Sequence, residues 1–239
     1  MKTFILTLLS FLALSSSHAL TTRADHSIWN NLLQENVTPT GHVNYKNLKI
    51  NKNSVSKYLQ ELKHHAPSSD WTKEEKMAYY INLYNAYTIQ FIITKYPVTS
   101  PKDINYSGKD IWKLRLVKTG KKTISLNDVE NILKGYGDAR IHFAINCGAI
   151  SCPKLMNRAW QANTLESDLT KMTKLFINNS SVNIIKPKRI KISKLFEWYP
   201  LEFKTSTTTI IDFINTYSNI QISPKAKIEY LPYNWNLNE

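Results

Sequence analysis

Cysteine, glycine and acidic residues are scarce in this chain, and each scarcity excludes something. Two cysteines in 239 residues cannot build a disulfide-dense scaffold or a four-thiolate zinc site. Six glycines exclude a collagen-like or glycine-rich linker protein. Beyond the N-terminus no apolar run approaches the roughly eighteen residues of a membrane span. No HExxH, DxDxDG, GxSxG or GxxxxGK[ST] pattern occurs, so metalloprotease, EF-hand, serine-esterase and P-loop readings lack support and no metal or cofactor is expected. Acidic residues number 18 against 31 lysines and arginines, for a net charge of +13. That surplus suggests nucleic acid until its distribution is read. Its tightest cluster, Lys186 to Lys194, alternates Ile190 and Ile192 with basic residues and suits a half-exposed hairpin strand. No RGG tract, finger spacing or wholly basic helix face accompanies it. Solvated lysines, or attraction to an anionic envelope surface, account for the charge better than nucleic acid does.

What is there describes an ordinary globular chain: 42% hydrophobic and 21% charged residues, and a length that fits one domain. Residues 1–19 read as a secretory signal. Lys2 gives the positive start, Phe4 to Leu14 is apolar apart from Thr7 and Ser10, and Ser17-His18-Ala19 offers small residues at a cleavage site. The mature chain, residues 20–239, would be periplasmic or secreted, without an integral membrane segment, and would carry +12 once Lys2 is removed. Its thiols would meet an oxidising compartment.

Periodicity places a helix over Asp25 to Val37, a turn and short extended piece at Gly41 to Tyr45, and a helix marked by Val55, Leu59 and Leu62. Thr72 and Glu75 form a capping-box pattern opening the longest and most apolar helix, which runs to about Lys95 before Pro97. A hairpin turning at Gly120 follows, then a helix capped by Ser125 and Asp128. Arg140 to Asn146 reads as the clearest strand, with Ile141, Phe143 and Ile145 on one face and His142, Ala144 and Asn146 on the other. Thr164 to Asn178 is helical, Val182 to Ile192 a hairpin, and Thr208 to Tyr217 a last helix. The fold class is α+β: one compact domain with helices packed on a small, mostly antiparallel sheet.

The densest chemical constellation is His142-Phe143-Ala144-Ile145-Asn146-Cys147-Gly148-Ala149-Ile150-Ser151-Cys152-Pro153. A helix opening at Pro153 would put Cys152 at its N-cap, where the dipole and unpaired N–H groups stabilise a thiolate. A strand persisting to Cys147 would put that residue in the core as an inert thiol and point His142 away from it. Three readings stay open: a structural Cys147–Cys152 disulfide, a nucleophilic cysteine activated by a histidine, and a labile redox pair or two inert thiols. The spacing is not the CxxC of thioredoxin-like proteins.

Asn82 and Asn85 share a face of the long helix and, if buried, must be hydrogen-bonded. They either anchor a neighbouring loop or line a pocket as donors to substrate. Glu130 is the acidic residue nearest in sequence to the His/Cys stretch.

These same segments carry a resemblance. Gly41 to Tyr45, Tyr79 to Asn85, Ser125 to Glu130, His142 to Cys147, Ser151-Cys152-Pro153, Phe196 to Tyr199 and the closing Tyr233 to Asn238 together resemble the domain of unknown function 547. In some plant and animal members that domain accompanies glutaredoxin-like modules, which points toward thiol chemistry. The family pattern has a histidine where this chain has Asn131, and an aspartate where it has Glu202 before Phe203. The expected activity is that of a cysteine-dependent hydrolase or acyl-transferase with papain- or transglutaminase-like logic. Cys147 or Cys152 would be the nucleophile, His142 the base and Glu130 its orienter, with Asn82, Asn85 and Asn146 as polar groups for a peptide-like substrate. The alternative is a non-catalytic envelope binding or scaffold module, with a structural disulfide and asparagines that anchor loops.

Overall fold

Local signals set the helices, and the longest of them sets the core. The computed structural model describes residues 22–106 and 108–239; the expected export signal at 1–19 lies outside them. Helices α1 (Ser27–Asn36), α2 (Tyr45–Ile50), α3 (Lys52–His64) and α4 (Lys73–Lys95) come first. The capping box forms as expected: Glu75 N–H donates to Thr72 Oγ1 (3.1 Å) and Thr72 N–H to Glu75 Oε2 (2.8 Å). Between Met77 and Ile93 only Tyr80 and Gln90 of α4 escape full burial. A helix apolar on all sides belongs inside, and α2, α3 and the later α5 (Leu126–Lys134) pack against it, with α1 laid on α2 and α3. The expected extended piece at Gly41 to Tyr45 shrinks to a single bridge, Val37 to Val43. Asn44 then caps α2 by accepting from Asn47 N–H (2.9 Å).

Two short antiparallel ribbons cross the surface: β1 (Asn105–Tyr106) with β2 (Lys109–Asp110), and β3 (Val117–Thr119) with β4 (Lys122–Ile124). The second turns at Gly120, where φ is +56°. After α6 (Leu165–Ile177) come β5 (Ile184–Lys186) and β6 (Arg189–Ser193), the expected hairpin. Beyond α7 (Leu195–Trp198) and α8 (Ile210–Tyr217), β7 (Lys227–Leu231) pairs parallel to β6. The parallel strand has no local turn to announce it, and the sequence reading misses it. The buried Ile190 and Ile192 face the core. Among the described residues, no helix is long and apolar enough to cross a membrane.

The segment that reads as the clearest strand is not one. Ala139–Phe143 is a 3-10 helix, capped by Asp138, which accepts from Arg140 N–H (2.9 Å). Residues 141–146 are buried without alternation, so the period-two pattern does not separate inside from outside. Buried irregular backbone needs partners, and here Asn85 supplies them. Its Nδ2 donates to Ala144 O (3.0 Å), and its Oδ1 accepts from Asn146 N–H (2.8 Å). Asn82 does the same for Trp160, with bonds of 2.9 and 3.0 Å to its carbonyl and N–H. Nor does a helix open at Pro153: residues 153–161 are irregular.

Candidate active site

The turn after Asn146 brings the two cysteines together. Gly148 sits at φ +85°, a conformation that favours glycine, and a Cβ there would lie 2.5 Å from Ile92 Cδ1, so that side chain would have to shift. The chain reverses, Cys152 N–H donates to Ala149 O (3.0 Å), and Cys152 Sγ returns to accept Cys147 N–H (2.7 Å). Asn146 braces the turn by donating to Pro153 O (2.7 Å) and accepting from Gly148 N–H (2.9 Å). The C-terminal tail then crosses it. Ala149 bridges Leu237, Ile150 N–H donates to Asn236 O (2.8 Å), and Asn238 N–H donates to Gly148 O (3.1 Å). That tail sets the Tyr233 hydroxyl 3.3 Å from Cys147 Sγ. Both cysteines are free thiols.

The surroundings assign the two sulfurs opposite characters. Burial raises the Cys147 pKa, but hydrogen bonds from the Cys152 thiol, the Tyr233 hydroxyl and the Ala149 N–H outweigh it and hold Cys147 below an ordinary thiol. Burial pushes Cys152 well up, and the neighbouring Cys147 adds to that. Tyr233 is likewise raised by burial and by both cysteines, so it stays a protonated donor. Neither local structure on which the sequence readings of the thiols depend is present. Cys152 is at no helix N-cap, and Cys147 is not sealed in the core.

Cys147 and Cys152 line a cavity of about 330 Å³ together with Glu130, His142, Tyr84 and Tyr199. Its outer wall is aromatic. Tyr233 lies 4.9 Å from Trp198 and 4.7 Å from Trp235, and Trp112 stands 5.8 Å from Trp235. Trp198 remains 44% exposed. His142 is only 2% exposed, yet its Nε2 has no hydrogen-bond partner. Its ring packs 4.1 Å from that of Tyr199. Burial, aided by Lys134, lowers its pKa to about 3, so the imidazole is neutral across the physiological range. Glu130 is raised by burial and opposed by a hydrogen bond from Tyr199.

The expected residues therefore divide. Cys147, Cys152, His142 and Glu130 meet at one cavity, although the sulfurs' hydrogen bonds run to each other's groups and to Tyr233 rather than to His142. Glu130 orients Tyr199, not the imidazole as expected. Asn82, Asn85 and Asn146 are spent on backbone and do not line this cavity, so the loop-anchor reading describes them. Asn131 is exposed and borders a neighbouring polar hollow with Glu130 and Lys134. Glu202 pairs with Lys134 at 3.4 Å, whose ammonium lies 5.5 Å from the Tyr199 ring centre. In the sequence Tyr233 enters only as the start of the closing segment of the resemblance, and its place at the site is missed. Among the described residues, no group of three or more His, Cys, Asp or Glu is placed to hold a metal ion.

No curated protein and no solved structure matches the chain. Residues 68–177, which carry α4, α5, the His142–Cys152 segment and α6, match the model of the family described as "Protein of unknown function, DUF547". By that match, residues 68–177 of the chain are a segment of the DUF547 family.

Proposed function

We propose that the protein is a cysteine-dependent hydrolase or acyl-transferase with Cys147 as its nucleophile. One observation carries this reading: the sulfur held in the thiolate-favouring environment opens onto the same cavity as a neutral histidine with a free Nε2. A thiolate already stabilised by donors needs no base to activate it. It attacks an acyl carbonyl, the leaving group departs with a proton from cavity water, and a thioester remains on Cys147. Water then attacks the thioester, His142 relays its proton to the hydroxide left when the leaving group was protonated, and Cys147 leaves again as a thiolate. Another acceptor in place of water makes the reaction an acyl transfer. The aromatic wall of Trp112, Trp198 and Trp235 supplies binding surface for the acyl or leaving group. Export to the periplasm or exterior is part of the proposal, resting on residues 1–19.

The reading is tested by reacting reduced protein with p-nitrophenyl acetate and locating the acetyl group by peptide mass spectrometry. Acetylation should fall on Cys147. Cys147→Ser should abolish it, and His142→Ala should slow thioester hydrolysis so that the acyl form accumulates. Acetylation spread over surface lysines, with Cys147 untouched, would refute the reading. The exposure of Trp198 favours a second reading, a non-catalytic envelope-binding module. That outcome belongs to it.

A further inference from the structure

We propose that Cys147 and Cys152 form a reversible dithiol–disulfide couple through which small-molecule disulfides switch the nucleophile off. This rests on the reading of Cys147 as the nucleophile. Two independent features of the fold support it. First, the turn at Gly148 places Cys152 Sγ against the Cys147 backbone, 2.7 Å from its N–H, and the two side chains hydrogen-bond to each other. Both line the cavity, so a small reagent reaching one reaches the pair. Second, the loop does not need a cross-link to hold its shape. The tail bonds at Ile150 and Asn238, the Ser151 hydroxyl accepting Asn234 N–H (2.9 Å), and the brace from Asn146 already fix it. A disulfide closing so short a loop removes the least chain entropy, so it contributes least as a structural staple. A pair held close but not required for the fold is suited to exchange.

The chemistry balances with a disulfide RSSR as oxidant. Cys147 thiolate attacks one sulfur of RSSR; the S–S bond breaks, a Cys147–SR bond forms, and RS⁻ leaves. The departing RS⁻ takes the Cys152 proton and becomes RSH. Cys152 thiolate then attacks Cys147 Sγ, forming the Cys147–Cys152 bond and expelling a second RS⁻, which carries away the charge that began on Cys147. The pair loses two electrons and RSSR gains them. Excess thiol reverses every step.

Wild-type protein should be equilibrated in buffers of increasing oxidised-to-reduced glutathione ratio, quenched with acid, alkylated and weighed. We expect conversion from dithiol to intramolecular disulfide without a lasting glutathione adduct, reversal by reduced glutathione under native conditions, and at least about tenfold slower iodoacetamide labelling of Cys147 once oxidised. Cys152→Ser and Cys152→Ala should instead accumulate a glutathione adduct on Cys147; the wild-type measurement needs neither variant to fold. A wild-type protein that stays dithiol, or keeps the glutathione adduct, or forms a disulfide that native reduction cannot open, would overturn the switch. Labelling of the reduced wild type separates the two proposals. Fast labelling of Cys147 with no disulfide defeats the switch alone, whereas slow labelling of Cys147 in the dithiol form defeats the nucleophile reading.

Discussion

Replacing Asn85 by alanine should cost far more stability than removing a polar side chain from a ligand pocket. Asn85 is 1% exposed, and both ends of its amide meet backbone, Ala144 O at 3.0 Å and Asn146 N–H at 2.8 Å. Alanine leaves that carbonyl and that N–H buried and unpaired. Each such group costs about 1–3 kcal/mol, and the vacated volume adds to it. The sum is about 3–6 kcal/mol, a large share of the roughly 5–15 kcal/mol that a domain has. Asn85→Asp should be no better, because a carboxylate cannot donate to Ala144 O and would be buried as a charge. Urea denaturation followed by circular dichroism measures the loss as a lowered midpoint at unchanged slope. A loss below about 1 kcal/mol for Asn85→Ala would sink the argument that this side chain stands in for a neighbouring strand. Because 141–146 leads directly into Cys147, the surviving folded fraction should also label more slowly at that thiol. A variant that lost activity at full stability would instead restore Asn85 as a substrate donor.

Tyr233→Phe removes one of the donors holding the Cys147 thiolate. Alkylation of Cys147 near neutral pH should slow about tenfold and its pH profile move upward, with stability altered by less than about 1 kcal/mol; an unmoved profile would remove Tyr233 from the site. Burial lowers His142 to about 3 and His26 to about 4, so the unfolded chain binds these protons more readily and acid destabilises the fold. Each histidine's stabilising contribution is complete above the unfolded pKa near 6.5 and is lost as pH falls toward the folded value. Each should account for about 2 kcal/mol lost between pH 7 and pH 5. His142→Gln should roughly halve that slope in urea melts, and an unchanged slope would count against a neutral buried imidazole. Gly148→Ala forces a Cβ to within 2.5 Å of Ile92 Cδ1 at φ +85°, which should cost about 2–4 kcal/mol. Adding Ile92→Ala should recover part of the clash but not the backbone strain, as thermal melts of the two variants would show.

What could be read in the sequence was what neighbours decide. The caps at Thr72 and Ser125 and the turn at Gly120 each involve residues within a few positions of each other, and each element appears where expected. The parallel pairing of β7 with β6 joins residues nearly forty positions apart, and no local rule announces it. Arg140 to Asn146 failed for another reason. Alternation separates faces only when one face meets solvent, and this segment is enclosed on all sides. Its hydrogen bonds come from an asparagine about sixty residues upstream.

The site inherited that failure in an instructive way. Type and spacing pick out Cys147, Cys152 and His142, but the conditional descriptions of the two thiols depend on a strand that continues to Cys147 and a helix that begins at Pro153. Neither element forms, so both descriptions lose their premise together. The dipole that was to activate Cys152 is missing, and the burial that was to silence Cys147 is outweighed by donors. One of those donors, Tyr233, comes from a tail anchored by Leu237 and Asn238, outside the stretch matched by the family model. Helices α4 and α5 and the cysteine turn lie within the matched stretch, whereas the wall that covers the cysteine comes largely from Trp198, Tyr233 and Trp235 beyond it. The proposed nucleophile, Cys147, is therefore placed by one part of the sequence and surrounded by another. Substitutions in the tail should change the reactivity of Cys147 before they change the fold around it.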